Sequence, residues 1–373
     1  MQYSPLSHVQ QRVKVGAPLP FNICDHDFTL LLARGQVVES VDQMQALFTR
    51  GALVDLAELL TPADKVRLAP PAALPKLWTA CLDKLGDTLR ASGKDGFIDA
   101  LDDSAAPVLA LVERDKDLAI FQVLRQNGNE LVQYGVNHST HAAITAYLVA
   151  QRLGWSADDA QRVFKAALTM NISMLELQGQ LAVQKTTPTP EQRQAILAHP
   201  GFSRMMLELG GVTDTDWLDA VSQHHENHDG TGYPGGIREP SDLASLVRRA
   251  DIYTAKLSPR AERDSVAADK AGRMMFMQEP GHPMIAALVK EFGVYPPGCF
   301  VKLMSGETGL VVRRGSTVMT PIVAVVSSPT GAPLPQPVRR DTAQRGYGVH
   351  SVLGGHASGV RLSPDKLLAA LTG

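Results

Sequence analysis

Along most of the chain the apolar residues recur at helical rather than strand spacing. Leu77, Cys81, Leu85 and Leu89 form one stripe and predict an amphipathic helix from Leu77 to about Arg90. Ala105 to Gln126 predicts another. Asn137 to Leu153 is a third, with Ile144, Leu148 and Leu153 on one face and Gly154 as its stop. The pattern continues from Ala157 to about Leu177. Pro190-Glu191 opens a further helix, expected to stop near His199-Pro200-Gly201, because proline removes a backbone donor. Asp214 to His225 carries Trp217, Leu218 and Val221 on one side.

The two ends of the chain read differently. Val13–Val15, Phe21–Cys24 and Thr29–Leu32 are short apolar or alternating runs, cut by Gly16, Pro18, Pro20 and Asp25-His26-Asp27. Asp42 to Arg50 follows as a short helix. Near the other end, Phe300–Met304, Gly309–Arg313 and Ile322–Val326 predict short strands. Pro329 to Gly359 is rich in proline and glycine and predicts irregular packing, before a short helix at Ser363–Leu371. The fold class is therefore mainly α, with a small N-terminal α/β module and a small C-terminal β module. The expected division is 1–60 for the N-terminal module, 61–126 for a helical linker, 127–293 for the helical domain and 294–373 for the β-rich extension. Pro62, Pro70, Pro71 and Pro75 mark the first boundary.

Composition narrows the function classes. The 373 residues are 44% hydrophobic and 20% charged, which is ordinary for a globular protein with a real core. A formal net charge of -2 argues against a protein that coats nucleic acid. No stretch is long enough to span a membrane, and the N-terminus lacks the apolar core of a signal peptide. The expectation is a cytoplasmic protein with neither nucleic-acid nor membrane partners. Cys24, Cys81 and Cys299 are far apart and not in metal-type spacing, as suits thiols in a reducing compartment. Asp25-His26-Asp27 is read as a polar hairpin turn rather than a ligand cluster.

Chemistry concentrates in one stretch, His224-His225-Glu226-Asn227-His228-Asp229-Gly230-Thr231-Gly232-Tyr233-Pro234. Paired imidazoles at a helix end, running into a glycine-rich loop, suit a metal site with an anionic ligand beside it. His224, His225, Glu226, Asp229, Gly230, Gly232, Tyr233 and Pro234 match the string HHExxDGxGYP, and the chain resembles the HD-GYP family in them. Active members of that family are metal-dependent phosphodiesterases that open cyclic di-GMP. The resemblance implies a helical HD-domain-like core and metal ligands at His138, His199, His224, His225 and Asp251. It also implies nucleotide-phosphate contacts at Arg260 and Arg263, and a protein-interaction loop of Asp229, Gly230, Gly232, Tyr233 and Pro234 that meets diguanylate cyclase (GGDEF) domains or other signalling proteins.

The other half of the family signature is altered. Where the family reads approximately AALLHDIGK, this chain has Ala166-Ala167-Leu168-Thr169-Met170-Asn171-Ile172-Ser173-Met174. Met170 stands for the histidine, Asn171 for the metal-bridging aspartate and Met174 for the lysine. A thioether is a poor ligand for iron or manganese, and a neutral amide cannot bridge two cations as a carboxylate does. Met174 also removes a charge that would face phosphate. His141, Tyr134 and Thr254 replace the family's usual arginine, third-metal glutamate and second aspartate. The reading is a degenerate HD-GYP protein with no catalytic residues expected. It keeps room for one divalent ion (iron, manganese or zinc), and cyclic di-GMP as a candidate ligand. The rival readings are a weak metal-dependent phosphodiesterase that uses Asn171 as a neutral ligand, and a scaffold that binds neither metal nor nucleotide.

Overall fold

The computed structural model describes residues 2–124, 134–259, 265–353 and 364–372. The chain divides into two compact units, residues 1–69 and 70–373. The first unit holds a four-stranded antiparallel sheet of β1 (Tyr3–Pro5), β2 (Ile23–Cys24), β3 (Leu30–Leu32) and β4 (Leu53–Asp55), in the order β1-β4-β2-β3. Helix α1 (Val41–Thr49) precedes β4, and α2 (Leu56–Leu59) and α3 (Pro62–Leu68) follow it. Leu6, Phe21, Ile23, Val38 and Val54 make its core. Val13–Val15 forms no strand. Asp25 is part of a turn, as expected: its carboxylate accepts from Arg50 Nε at 2.8 Å and from the His26 backbone at 2.8 Å. Those bonds, chiefly the one from Arg50, hold its pKa well below the usual carboxylate range.

In the proline-rich stretch the prolines start helices instead of loosening the chain. Pro62 opens α3 behind a Thr61–Asp64 capping box, and Pro75 lies in the first turn of α4 (Leu74–Arg90). Trp78, Leu85 and Leu89 on α4 are fully buried, each stabilising the fold by about 1.5–3 kcal/mol. The expected helix over Ala105–Gln126 is two helices, α5 (Phe97–Arg114) and α6 (Lys116–Leu124). They part at Asp115, whose extended backbone (φ -151°, ψ 93°) ends α5 and whose carboxylate caps the Leu118 amide.

Helix α7 (Tyr134–Leu153) is the central element, and all but Asn137 and its last three residues are buried. Packed on it are α8 (Ala157–Thr169), α9 (Leu175–Val183), α12 (Asp242–Leu257) and α14 (Pro283–Phe292). The remaining helices of this layer are α10 (Pro190–Leu209), α11 (Thr215–Gln223) and α13 (Ala268–Gln278). At Gly135 the backbone of α9 comes so near α7 that a Cβ would lie 2.5 Å from the Leu175 carbonyl oxygen. Only glycine allows that approach.

Two helix expectations near the site are corrected. The helix from Ala157 does not run to Leu177: α8 ends at Thr169, and a 3-10 turn at Ile172–Met174 leads into α9. Thr169 bends back to donate to the Lys165 carbonyl at 2.8 Å and also accepts the Trp217 indole N–H at 2.9 Å, which pins the end of α8. Conversely, α10 does not stop at Pro200 but continues through it to Leu209.

The C-terminal sheet is antiparallel, in the order β8-β7-β6-β5-β9, from β5 (Phe300–Leu303), β6 (Thr308–Arg313), β7 (Ile322–Ser327), β8 (Pro333–Asp341) and β9 (Val349–Leu353). Strands β8 and β9 fall where irregular packing was expected. Prolines at β8 are tolerated because it is an edge strand. Helix α15 (Pro364–Thr372) lays Ala370 against Val312 and Ala324. Arg314, just past β6, ties sheet to helices by donating to Asp117 and to Glu291, at 2.9 Å for the latter. Among the described residues no helix is long and apolar enough to cross a membrane.

Candidate metal centre

Three histidines converge beside the end of α11. The ligand-type atoms of His199, His224 and His225 all lie within 4.8 Å of one another. His199 comes from the middle of α10, where Pro200 has a local consequence. Proline lacks the N–H that would bond the carbonyl four residues back, at Ile196. His199 Nδ1 takes that carbonyl instead, at 2.5 Å. His224 caps the C-terminus of α11, where carbonyls are left without helical partners, and its Nδ1 bonds the Val221 carbonyl at 2.7 Å.

These two bonds decide the protonation of the pair. A carbonyl only accepts, so each Nδ1 carries the proton and each Nε2 presents a lone pair. Burial, with the His224 neighbour second, drives the His199 pKa down to about 3, and burial likewise lowers His224, so both rings are neutral near pH 7. Yet His199 Nε2 and His224 Nε2 face each other at 3.2 Å, with no proton left to lie between them. Two lone pairs at that distance repel unless a cation stands beside both. Tetrahedral ligation at a metal–nitrogen bond of about 2.0–2.1 Å sets neighbouring nitrogens roughly 3.3 Å apart, close to the spacing here. The donor set thus fits one borderline divalent cation.

His225 completes the cluster, its ring centroid 4.1 Å from that of His224 and 5.1 Å from that of His199. Burial and His224 push its pKa well below the ordinary value. His138, from α7, faces the same region but is taken up by Asp251 of α12, with Nε2 to Oδ1 at 2.6 Å. Burial raises the Asp251 pKa, but the His138 hydrogen bond and the surrounding imidazoles outweigh it, and the carboxylate stays ionised. Asp251 therefore supplies negative charge next to the triad. His141 is buried apart from it, its pKa driven to about 3 by burial and by His138. Tyr134 stacks on the His138 ring at 5.9 Å, and Thr254 turns its hydroxyl back to the Ala250 carbonyl.

Met170 and Asn171 are buried at the break between α8 and α9. The turn is fastened to α10 by Ser173, which donates to the His199 carbonyl at 3.1 Å and pairs with Ser203 at 2.9 Å. A hydroxyl within an apolar Ile-Ser-Met run gave no sequence signal for this tie. Arg260 and Arg263 lie outside the described residues.

Sequence reasoning also missed the role of Glu226. Its carboxylate is buried and accepts the backbone N–H groups of Gly235 at 2.6 Å and Ile237 at 3.0 Å, closing the loop on itself. The turn is tight enough that a Cβ on Gly232 would sit 2.4 Å from Glu226 Cα. Asp229 accepts from the Thr231 amide and hydroxyl, so both acids serve loop shape. The Tyr233–Pro234 peptide is cis. The Tyr233 ring stacks on His225 at 4.5 Å and is half-buried, while 234–239 are exposed. The loop expected to be an open docking feature is thus partly a cover for the histidines.

Residues 123–276 match the HD-domain family profile. A cyclic di-GMP phosphodiesterase of Pseudomonas aeruginosa is 29% identical over 214 residues, 55% of this chain and 51% of that protein. A 3'3'-cGAMP-specific phosphodiesterase of Vibrio cholerae is 30% identical over 172 residues, covering 44% of this chain and 36% of that protein. The chain thus spans about half or less of the length of these relatives. In solved structures, an HDGYP-type protein of Bdellovibrio bacteriovorus shares the fold at a TM-score of 0.50, with 16% identity, 77% of this chain and 97% of that chain covered. With the matched helical segment, the paired histidines and the Tyr-Pro loop on one frame, the chain carries an HD domain over residues 123–276 and is similar there to cyclic dinucleotide phosphodiesterases of the HD-GYP kind.

Proposed function

We propose that this chain is a regulatory module of cyclic dinucleotide signalling that holds one divalent cation and binds without turning over its ligand. The observation that carries the reading is the facing of the proton-free Nε2 atoms of His199 and His224 at 3.2 Å, in a chain whose residue 171 is an asparagine that cannot bridge two ions. His199, His224 and His225 would hold the ion, with Asp251 and His138 next to it. A bound ion there supplies a positive charge for a phosphate oxygen and fixes the three rings. Chemistry on two ions about 3.5–4 Å apart needs a shared anionic ligand, and the position that would provide it is neutral. Ser173 supports the same reading, because its bonds to His199 and Ser203 join α10 to the α8–α9 turn without a shared metal ligand.

The relatives act on cyclic di-GMP and on 3'3'-cGAMP, which makes a cyclic dinucleotide the natural ligand class. The exposed stretch from Pro234 onward is the candidate surface for a signalling partner such as a diguanylate cyclase domain. The test is metal analysis alongside an anaerobic assay of cyclic di-GMP hydrolysis with added iron(II) or manganese(II). One ion per chain and no linear product is the expected result. Turnover that disappears in His224→Ala would replace this reading with a phosphodiesterase that uses Asn171 as a ligand.

A further inference from the structure

A cleft of about 430 Å³ opens between the loop after α11, helix α12 and the end of α13. Its walls carry both signs of charge, so what it can bind depends on which charges are already spent. Glu226 is occupied by the Gly235 and Ile237 amides, at 2.6 and 3.0 Å. Asp229 is occupied by Thr231. Glu279 is the acceptor of a close ion pair from Arg249, a guanidinium that is 2% exposed and also donates to the Ser245 carbonyl at 2.8 Å. Glu279 is thereby ion-paired, while Glu226 and Asp229 are held by neutral donors and keep their charge.

Arg248 is less closely paired. Its ion pair among the described residues is with Glu279 at 3.6 Å, beyond hydrogen-bond length, and that carboxylate already serves Arg249. The side chain is nevertheless only 24% exposed, so a strongly basic fork is held largely away from water without a full set of acceptors. It also sits three residues before Asp251 on α12, which places it on the same face, about 4.5 Å along the axis. The positive charge of Arg248 is felt at both His225 and Asp251, so the cleft and the histidine centre are neighbours.

We propose that Arg248 is the anion-binding residue of this cleft and receives a phosphate group of the ligand next to the histidine centre. It would supply from α12 a cation of the kind that Met174 cannot provide. A planar guanidinium suits the paired oxygens of a phosphate, and an incoming anion would replace the water that Arg248 has lost. Amide side chains at Asn227 and Gln278 on the same walls offer donors and acceptors for a base edge. The nucleotide part of this inference rests on the function proposed above; the anion-binding part rests on the cleft alone.

The experiment is calorimetric titration of the metal-loaded full chain with cyclic di-GMP and, separately, with inorganic phosphate, for wild type, Arg248→Gln and Arg248→Lys. Metal content and thermal unfolding are followed on the same samples. Arg248→Gln is expected to weaken binding about 10- to 100-fold, the loss of a charge-assisted contact. Its remaining affinity should be less sensitive to salt, and Arg248→Lys should recover part of the loss. Equal cyclic di-GMP affinity in wild type and Arg248→Gln would overturn the assignment while leaving the nucleotide reading intact. Phosphate binding that depends on Arg248, without cyclic di-GMP binding, would uphold the anion site and remove the nucleotide reading. A wild-type protein that binds neither would overturn the inference.

Discussion

Met170 and Asn171 sit at the break between α8 and α9, and Glu226 and Gly232 sit at the turn after α11. Both segments are buried in part, and they are held in different ways. In the first, every position that would bring charge to the site is neutral, and Ser173 and Thr169 fix the turn by hydrogen bonds to α10 and α11. In the second, the shape of the loop depends on a buried carboxylate and on a glycine without room for a Cβ. The lesson is that neutral side chains at a turn can be replaced at little structural cost if their neighbours hold the turn. A residue that holds the backbone in place cannot.

That contrast can be broken first at the histidines. His224→Ala should take bound metal from one ion per chain to none, read by elemental analysis, because it removes one member of a three-imidazole set. Metal retained in the variant would move the ion away from this pair. The next largest effect should come from rebuilding the emptied half. Met170→His with Asn171→Asp is expected to raise the stoichiometry from one ion to two and to bring measurable cyclic di-GMP hydrolysis with iron(II) or manganese(II). No second ion in a folded double variant would mean that repacking around Met170 has closed the space.

Gly232→Ala tests the intact half by itself. Its Cβ would meet Glu226 Cα at 2.4 Å, so unfolding stability should fall by about 1–3 kcal/mol in urea titrations. Smaller, but more informative, is Pro200→Ala. The new N–H would compete for the Ile196 carbonyl that His199 Nδ1 now holds, and metal affinity should drop about tenfold while the melting temperature stays level or rises. Nitrogen-15 NMR of the metal-free protein should show the His199 tautomer no longer fixed.

The smallest effect concerns pH. His141 and His199 have folded pKa values near 3, against about 6.5 in an unfolded chain. Below pH 6.5 the unfolded state takes up protons that the folded state refuses, so stability is complete above that value and declines as pH falls toward 3. His141→Gln, outside the triad, should make that decline shallower in denaturation midpoints measured between pH 7 and 4.

The helical frame was legible because burial periodicity is written locally. The stripes on Leu77–Arg90 and Asn137–Leu153 became α4 and α7 within a turn. The paired histidines were legible because string and spacing are specific. Where the reading slipped, a long-range partner overrode a local signal. Pro200 did not end α10, because the Ile196 carbonyl that it leaves without a backbone donor is met by His199 Nδ1. The prolines of β8 did not preclude a strand, because that strand lies on a sheet edge. Tyr233 reads from the string as an exposed loop residue, yet its ring lies on His225.

By itself, then, the sequence determined the helical character, the spacing of the histidines and the neutrality of the Met170-Asn171 pair, since residue identity and pattern suffice for these. Only the tertiary structure decided that the Nε2 atoms of His199 and His224 face each other at 3.2 Å, that Asp251 is drawn to His138, and that Arg248 lies in its cleft without a hydrogen-bonded acceptor among the described residues. Each of those depends on which atoms from distant helices meet, and on the water excluded when they do.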